Sequence, residues 1–396
     1  MLSSFRSGPF QPSHVSSRKS PNIKRIVAIV VNYYSAALTV RAVRSIVETR
    51  HSESLTVVVV DNSESSEEAH FLKTSLPRSV HLIVAPRNMG FGNACNMAWN
   101  RWTGDAVLLL NPDAYLEGNC LEELIRTLNA HARVGAVGPQ IYWDPQKRFL
   151  LPPSVPPSWI FMLSLADRFG WLALPFLRLA DELWRRYALR VWSAREPFPV
   201  KNLSGGSVLV RAEAVRDAGG LFDPRFFLYF EDTDLFFRLR KKGWRLAVVP
   251  TASVIHEFDR CGLENLERKR RFMGDSRDFF MKKHFPRLIR LAQRIPHERL
   301  QGIRRNNGRK ACPIFRAPFR VAVPTKMPRP WLFEWSPNPN FIPAAGAFGT
   351  GCWAEFSEDC FRRLSPGRYF GRIAPVQGSL RSHAVRFSFS VGRSSS

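Results

Sequence analysis

Asp105-Ala-Val-Leu-Leu-Leu-Asn-Pro-Asp-Ala114 is the stretch from which the fold can be read. Four consecutive large aliphatics, Val107 to Leu110, are too few for a free-standing helix and predict a strand buried on both faces. The strand must stop at Asn111-Pro112, because proline has no amide hydrogen for a ladder and biases its predecessor away from helix. A carboxylate, Asp113, follows at once. In an open α/β sheet, ligands bind just beyond the carboxyl ends of the strands. This strand therefore sets an acid where a phosphate-bearing ligand would lie.

Upstream, Ile26 to Val31, Thr56 to Val60 and Val80 to Val84 are apolar runs of the same kind. Between them, Ala36 to Val47 carries Leu38, Val43, Ile46 and Val47 at helical spacing, with Arg41 and Arg44 outside. A short helix from Ser66 to Leu72 opens with Glu67 and Glu68, which suit the positive end of its dipole. Strands alternating with helices at this pace predict an α/β fold: a doubly wound, mostly parallel sheet with flanking helices. Three strand ends then bring polar residues to one edge: Asn32-Tyr33, Asp61-Asn62 and Asn111 to Asp113. Any one of them reads equally well as an Asx turn. Three together on one edge fit a nucleotide crevice better. The turn Pro86-Arg-Asn-Met-Gly-Phe-Gly-Asn-Ala94 leads into a helix running to about Trp102. Gly90 and Gly92 permit conformations closed to other residues, and Arg87 could pair with phosphate. A Gly-x-Gly alone is also an ordinary tight turn.

Downstream, Leu121 to Ala130 predicts a helix and Gly135 to Tyr142 a strand. Four prolines in Leu151 to Pro157 mark a boundary or loop. Ser158 to Trp192, with Trp159, Trp171, Trp184, Arg185, Arg186 and Trp192, fits either a membrane interface or a subdomain packed on the sheet. Regular structure returns at Val200 to Val210, where Ser204-Gly205-Gly206-Ser207 lets a substrate approach the backbone. In Phe226-Phe-Leu-Tyr-Phe-Glu-Asp-Thr-Asp-Leu235, five apolar positions meet three carboxylates. A helix starts near Asp232, with Leu235, Phe236 and Leu239 buried and Gly243 as its stop. Capping accounts for one or two of the acids, but not for a Glu231-Asp232 pair set against Tyr229-Phe230. Carboxylates beside aromatic walls and beside each other have raised pKa values and can act as bases. Trp244 to Val249 predicts a strand, and Val254-Ile-His256 a separate short extended run.

Composition bounds the rest. With 396 residues the chain exceeds one typical domain, and its 45% apolar and 23% charged fractions are ordinary. The net charge of +25 is not. Residues 260–310 hold sixteen Lys/Arg against five acids, which favours an acidic membrane surface, a nucleic acid, or simply a solvated helical face. No nucleic-acid motif accompanies the charge. Six cysteines without a CxxC pair argue against zinc or a disulfide scaffold and fit a reduced cytosol. Residues 1–24 read as a disordered basic leader, and no run is apolar enough to span a membrane. After Ala311 the composition turns to Phe, Pro, Arg and Gly. Residues 296–396 therefore form a small β module or a poorly ordered tail.

The ordered set of Asn32-Tyr33, Asp61-Asn62, Arg87-Asn88-Met-Gly90-Phe-Gly92, Asn111-Pro-Asp113, Gly205-Gly206, Glu231-Asp232-Thr-Asp234 and His256 resembles the family 2 glycosyltransferases of the GT-A fold, especially their rhamnosyltransferase-like branch. The resemblance spans about Ile23 to Arg290, so the transferase domain is expected over 25–295, with 151–195 as an aromatic, basic helical insertion. It implies Asn32, Tyr33, Asp61, Asn62, Arg87, Asn88, Gly90 and Asn111 on the side of a nucleoside-diphosphate sugar donor. It implies Asp113 and His256 at a divalent cation, Mg2+ or Mn2+, Asp232 as catalytic base with Glu231 beside it, and Gly205, Gly206 and Asp234 toward the acceptor. The acceptor would be a glycan or lipid-linked hydroxyl, and the place the cytoplasm or the inner face of the plasma membrane, with acidic lipid as a contact. Asn111 stands where the family's Asp-x-Asp has its first acid, and an amide is the weaker metal ligand. The rival reading is a nucleotide-sugar-binding scaffold that has lost catalysis.

Overall fold

The computed structural model describes residues 22–49, 54–160, 162, 174–257, 266–285, 314–377 and 384–392. In chain order its elements begin with β1 (Arg25–Asn32), α1 (Ala36–Val47), β2 (Ser54–Asp61), α2 (Ser66–Ser75), β3 (His81–Val84), α3 (Phe91–Arg101), β4 (Ala106–Leu110), β5 (Ala114–Glu117), α4 (Cys120–Ala130) and β6 (Val134–Tyr142). Next come α5 (Leu174–Trp192), β7 (Phe198–Val200), β8 (Ser207–Arg211), α6 (Ala212–Asp217), α7 (Glu231–Lys241), β9 (Arg245–His256) and α8 (Leu266–His284). The last are β10 (Ile314–Phe315), β11 (Phe319–Ala322), β12 (Trp331–Ser336), β13 (Ala345–Gly349), β14 (Trp353–Phe356), α9 (Glu358–Arg362), β15 (Gly367–Pro375) and β16 (Val385–Val391). They divide into two compact units, Met1–Ile141 with Ala194–Arg290, and Tyr142–Ser193 with Leu291–Ser396.

The first unit is built on a sheet of order β3-β2-β1-β4-β8-β6-β9-β5, with β7 on β9. The strand β4 is buried along its whole length, as its unbroken aliphatic run requires. Neighbours β3, β2, β1 and β4 are parallel. Because β8 runs antiparallel to both β4 and β6, β6 shares the direction of the first four while β8 opposes them, and β9 is antiparallel to both β5 and β7. This mostly parallel sheet with flanking helices is the α/β arrangement of a GT-A fold. Helix α1 turns Ala36, Val40, Val43 and Ile46 into the core, and α4 does the same with Leu121, Leu124, Ile125 and Leu128. Each large apolar side chain buried in this way contributes on the order of 1.5–3 kcal/mol.

Two features of this sheet differ from the sequence reading. Residues 245–256 form one strand, not two. Pro250 falls between the part paired with β7 (Leu246 to Val248) and the part paired with β5 (Ser253 to His256), so its missing amide interrupts neither ladder. The second is β5 itself, a four-residue strand with alternating burial that the sequence reading passed over.

The second unit carries a sheet of order β10-β16-β15-β12-β13 and a two-stranded β11-β14 ribbon. Its core is aromatic, with Trp143, Phe149, Phe333, Trp335, Phe356, Phe387 and Phe389 buried together. This unit also buries a charge network. Arg372 bonds both oxygens of Glu334 at 2.8 Å and reaches Asp181 at 2.5 Å, and Arg185 bonds Glu334 at 3.0 Å and the Pro375 carbonyl at 2.7 Å. Two cations and two anions bond one another, which is what makes their burial tolerable, with Asp181 Oδ1 left without a partner among the described residues. Arg185, Trp184 and Ala188 thus turn α5 toward the sheet of its own unit. Trp171 and residues 1–21, 258–265 and 286–313 lie outside the described residues, so all but the last three residues of the expected leader and much of the basic segment do too; Ile23, within those three, is buried in the core of the first unit.

Candidate active site at the strand ends

Strand register sets the first part of the site. Asn32 pairs with Asp61 across β1 and β2, and β1 pairs with β4 from Ile26↔Ala106 to Ile29↔Leu109. The ends of the three strands therefore fall at one level, as the sequence implied. Asp61 is buried, with Oδ1 bound by Asn32 Nδ2 at 2.9 Å, while its Oδ2 has no hydrogen-bond partner among the described residues. An unpaired buried carboxylate oxygen is costly unless a ligand fills the post. Tyr33 beside it is half-buried, and its ring meets Tyr34 edge-on at 4.9 Å.

Three residues expected to touch a donor spend their side chains on the scaffold. Asn32 is fully buried, with both ends of its amide hydrogen-bonded to neighbouring side chains. Asn62 donates to Asn88 Oδ1 at 2.9 Å and accepts from the Met89 amide at 2.8 Å, and Asn88 Oδ1 also accepts from Gly90 N at 3.0 Å. Together these amides pin the glycine turn. Gly90 has φ +79, and a Cβ there would lie 2.0 Å from the Phe227 carbonyl oxygen, so only glycine fits. Arg87 is exposed at the rim.

The second part hangs on β5. Its register sets Ala114 opposite His256, and the Glu257 amide donates to the Asp113 carbonyl at 2.9 Å. Asp113 Oδ1 consequently lies 3.1 Å from His256 Nε2, both side chains being buried. One carboxylate and one imidazole suit a divalent cation that takes its other positions from phosphate oxygens and water. Among the described residues no group of three or more His, Cys, Asp or Glu could hold a metal by itself. The donor set fits a cation shared with a bound diphosphate.

The Ser204-Gly205-Gly206 turn joins the two halves. Gly206 O accepts from the Asn111 amide at 2.8 Å, and a Cβ on Gly206 would lie 2.6 Å from Asn111 Nδ2. The Gly205 amide donates to Asp232 Oδ2 at 2.9 Å, and a Cβ there would lie 2.6 Å from the Asp232 Cβ. Adjacent glycines thus press one on the end of the β4 strand and the other on the acid at the start of α7. That helix begins after two successive L residues in the left-handed region, Tyr229 (φ 69) and Phe230 (φ 66). Such residues cost about 1–3 kcal/mol each, a strain that gathers at functional sites.

The acids of α7 have three different fates. Burial raises Asp232 above its ordinary pKa against the hydrogen bonds from Gly205 and Thr233 that oppose it. Glu231 is buried with Oε2 unpaired among the described residues, and burial together with the neighbouring Asp232 charge pushes its pKa up to about 8. Asp234, expected toward the acceptor, is instead wholly buried and bound by Arg238 (2.7 Å), Lys283 (2.6 Å) and His284 (2.7 Å). Although burial pushes its pKa up, those three bonds hold it below the usual range. Asp234 braces α7 against α8; it has no oxygen left for an acceptor.

The chain belongs to a glycosyltransferase family: residues 21–274 match the family described as glycosyltransferase like family 2. Two curated relatives, from Mycobacterium tuberculosis strains CDC 1551 / Oshkosh and ATCC 25618 / H37Rv, are named N-acetylglucosaminyl-diphospho-decaprenol L-rhamnosyltransferase. Each is 33% identical over 220 residues, covering 51% of this chain and 66% of the relative. Among solved structures, a mannosyltransferase of Pyrobaculum calidifontis in complex with GDP-Man and Mn2+ is 18% identical, with TM-score 0.43 over 71% of this chain and 68% of that one. GalNAc-T7 with UDP, GalNAc and Mn2+ is 13% identical, with TM-score 0.43 over 70% and 59%.

Proposed function

We propose that this chain is an inverting glycosyltransferase acting in cell-surface polysaccharide synthesis. It moves a sugar, rhamnose or another hexose, from a nucleoside-diphosphate sugar to a hydroxyl of a glycan or lipid-linked acceptor. The observation that carries this reading is the double-glycine turn, which holds the end of β4 through Gly206 and Asp232 through Gly205. Donor chemistry at the strand ends and base chemistry at α7 are thereby one turn apart.

Asp61 Oδ2 accepts from the donor's base, with Tyr33 beside it and Arg87 at the rim. Asp113 and His256 would hold a divalent cation, which when bound supplies charge neutralisation at a diphosphate leaving group. Asp232 takes the proton from the acceptor hydroxyl, whose oxygen displaces the nucleotide in a single step and inverts the anomeric centre. The names of the mycobacterial relatives support a lipid-diphosphate acceptor and hence a place at the inner face of the plasma membrane. Among the described residues no helix is long and apolar enough to cross a membrane. Arg268, Arg270, Arg271 and Lys282 are exposed on α8 and suit contact with acidic lipid. No specific observation favours the scaffold reading.

The test is a panel of nucleotide sugars offered with a polyprenyl-diphosphate-linked sugar as acceptor, with released nucleoside diphosphate as readout. Acceptor-dependent release from one donor supports the proposal. Binding of a donor without release, across the panel and with either metal, would leave a scaffold.

A further inference from the structure

The residues behind Asp61 form a relay that reaches a second acid, Glu68 on α2. The Asn32 side chain lies between them, with its Nδ2 donating to Asp61 Oδ1 at 2.9 Å and to Glu68 Oε2 at 2.9 Å. Both amide hydrogens are thus committed, one to each carboxylate. The orientation of the amide is fixed from its other end. Asn32 Oδ1 accepts from the Ser35 amide at 3.2 Å and from the hydroxyls of Ser35 (3.2 Å) and Thr39 (3.0 Å). A backbone N–H can only donate, so the oxygen must face Ser35 and the nitrogen must face the two acids.

Glu68 is anchored on its own side. Its Oε2 also accepts from the Ala36 amide at 3.0 Å, at the N-terminus of α1, and its own amide is held by Ser65 Oγ at 3.3 Å. Ser63 N completes the support of Asp61 Oδ1 at 3.2 Å. Among the described residues, every bond that the Asp61 carboxylate accepts therefore goes to one oxygen and leaves the other bare. A carboxylate held by one oxygen through an amide that cannot turn presents its second oxygen in a single direction.

We infer that Glu68, through Asn32, is a positioning residue that aims Asp61 Oδ2 and thereby sets which base the site accepts. This rests on the proposal that Asp61 receives the donor's base. A fixed single acceptor favours a base offering a ring N–H at that point, as uracil, thymine and guanine do. It disfavours one that presents a ring acceptor there, as adenine does, because two facing acceptors leave both unpaired.

The test is calorimetric titration of the full chain with UDP, dTDP, GDP and ADP in the presence of Mn2+, beside the variants Glu68→Ala, Glu68→Gln and Asn32→Asp. Wild type binds at least one of the ring N–H nucleotides and prefers it over ADP. Glu68→Ala weakens that best nucleotide about tenfold, the equivalent of one hydrogen bond to a charged group, and narrows its margin over ADP. Glu68→Gln, whose amide oxygen can accept the same two bonds, stays within about twofold of wild type. Asn32→Asp, which sets a third carboxylate between two, loses more than Glu68→Ala does. A general loss of structure would weaken all four nucleotides in proportion and leave the margin unchanged, and that result overturns the inference. So does wild-type affinity in Glu68→Ala with unchanged circular dichroism, or a Glu68→Gln as impaired as the alanine variant. If wild type binds none of the four, the donor-site proposal itself fails and takes the relay's purpose with it.

Discussion

Replacing Glu231 by glutamine should make the chain's stability less sensitive to pH, in one direction and over a stated window. Glu231 is 6% exposed, its Cβ and Cγ lie 3.5 Å from where a Cβ on Gly92 would sit, and its Oε2 is unpaired among the described residues. Burial, then the charge of Asp232, lifts its pKa from 4.5 to about 8. A carboxyl whose folded pKa exceeds its unfolded one is favoured by folding only while protonated. Its contribution is complete below about pH 4.5 and is lost as pH rises toward 8, because in that window the unfolded chain has released a proton that the folded chain keeps. At about 1.4 kcal/mol per pH unit, the loss is about 3 kcal/mol by pH 7 and about 5 kcal/mol by pH 8. Glutamine has the same shape and no proton to lose. The stability of Glu231→Gln minus that of wild type should therefore grow by about 3 kcal/mol between pH 4.5 and pH 7. The assay is urea unfolding followed by far-UV circular dichroism at half-unit steps of pH, reading the transition of the mostly parallel sheet. Other titrating groups are common to both proteins and cancel in the difference. A difference that stays flat with pH, or shrinks as pH rises, would refute the burial argument for Glu231.

Other outcomes follow from the same geometry. Gly205→Ala puts a methyl 2.6 Å from the Asp232 Cβ; displacing the base by about 1 Å should cost about a hundredfold in turnover with donor affinity kept, as steady-state kinetics and calorimetry would show. Asp113→Ala and His256→Ala should each raise the Mn2+ concentration for half-maximal activity at least about tenfold, since even outer-shell partners of metals are worth that much; a superimposable metal titration would remove either residue from the cation site. Lys283→Met removes a cation shared by Asp223 (2.7 Å) and Asp234 (2.6 Å). Because Lys283 is 21% exposed, the loss should be about 2 kcal/mol, below the 3–5 typical of a fully dry pair, read as a lower urea midpoint.

Legibility in the sequence followed the range of the interaction. The run Val107 to Leu110 could be read because a strand buried on both faces needs no partner to betray it, and Ala36 to Val47 because its spacing is its own. The strand β5 was hidden by its brevity, though the alternation in Ala-Tyr-Leu-Glu was there to see. With β5 missing, nothing in the chain explained why Asp113 should meet His256. Residues 245 to 256 were read as two runs, and only the placement of β5 and β7 on either side of Pro250 shows that one strand serves both ladders. Side-chain roles were harder, since the type of a residue does not state its partner. Asn32, Asn62 and Asn88 have the chemistry of ligand contacts, yet tertiary packing turns each inward. Asp234 looked like one more acid in a catalytic cluster until α8, fifty residues on, supplied Lys283 and His284. The left-handed Tyr229 and Phe230 run against the preferences of both residues, and strain of that kind is legible only from coordinates.

The claim on which the rest depends is that Asp232, held by Gly205, is the group that deprotonates the acceptor. The direct measurement is Asp232→Asn, with donor affinity by calorimetry and sugar transfer by nucleotide release taken on the same preparation. Asparagine keeps the shape and can still accept from the Gly205 amide, so donor affinity should stay within about threefold while transfer falls by about a hundred- to ten-thousand-fold. Transfer at the wild-type rate, with the donor still bound, would contradict the assignment.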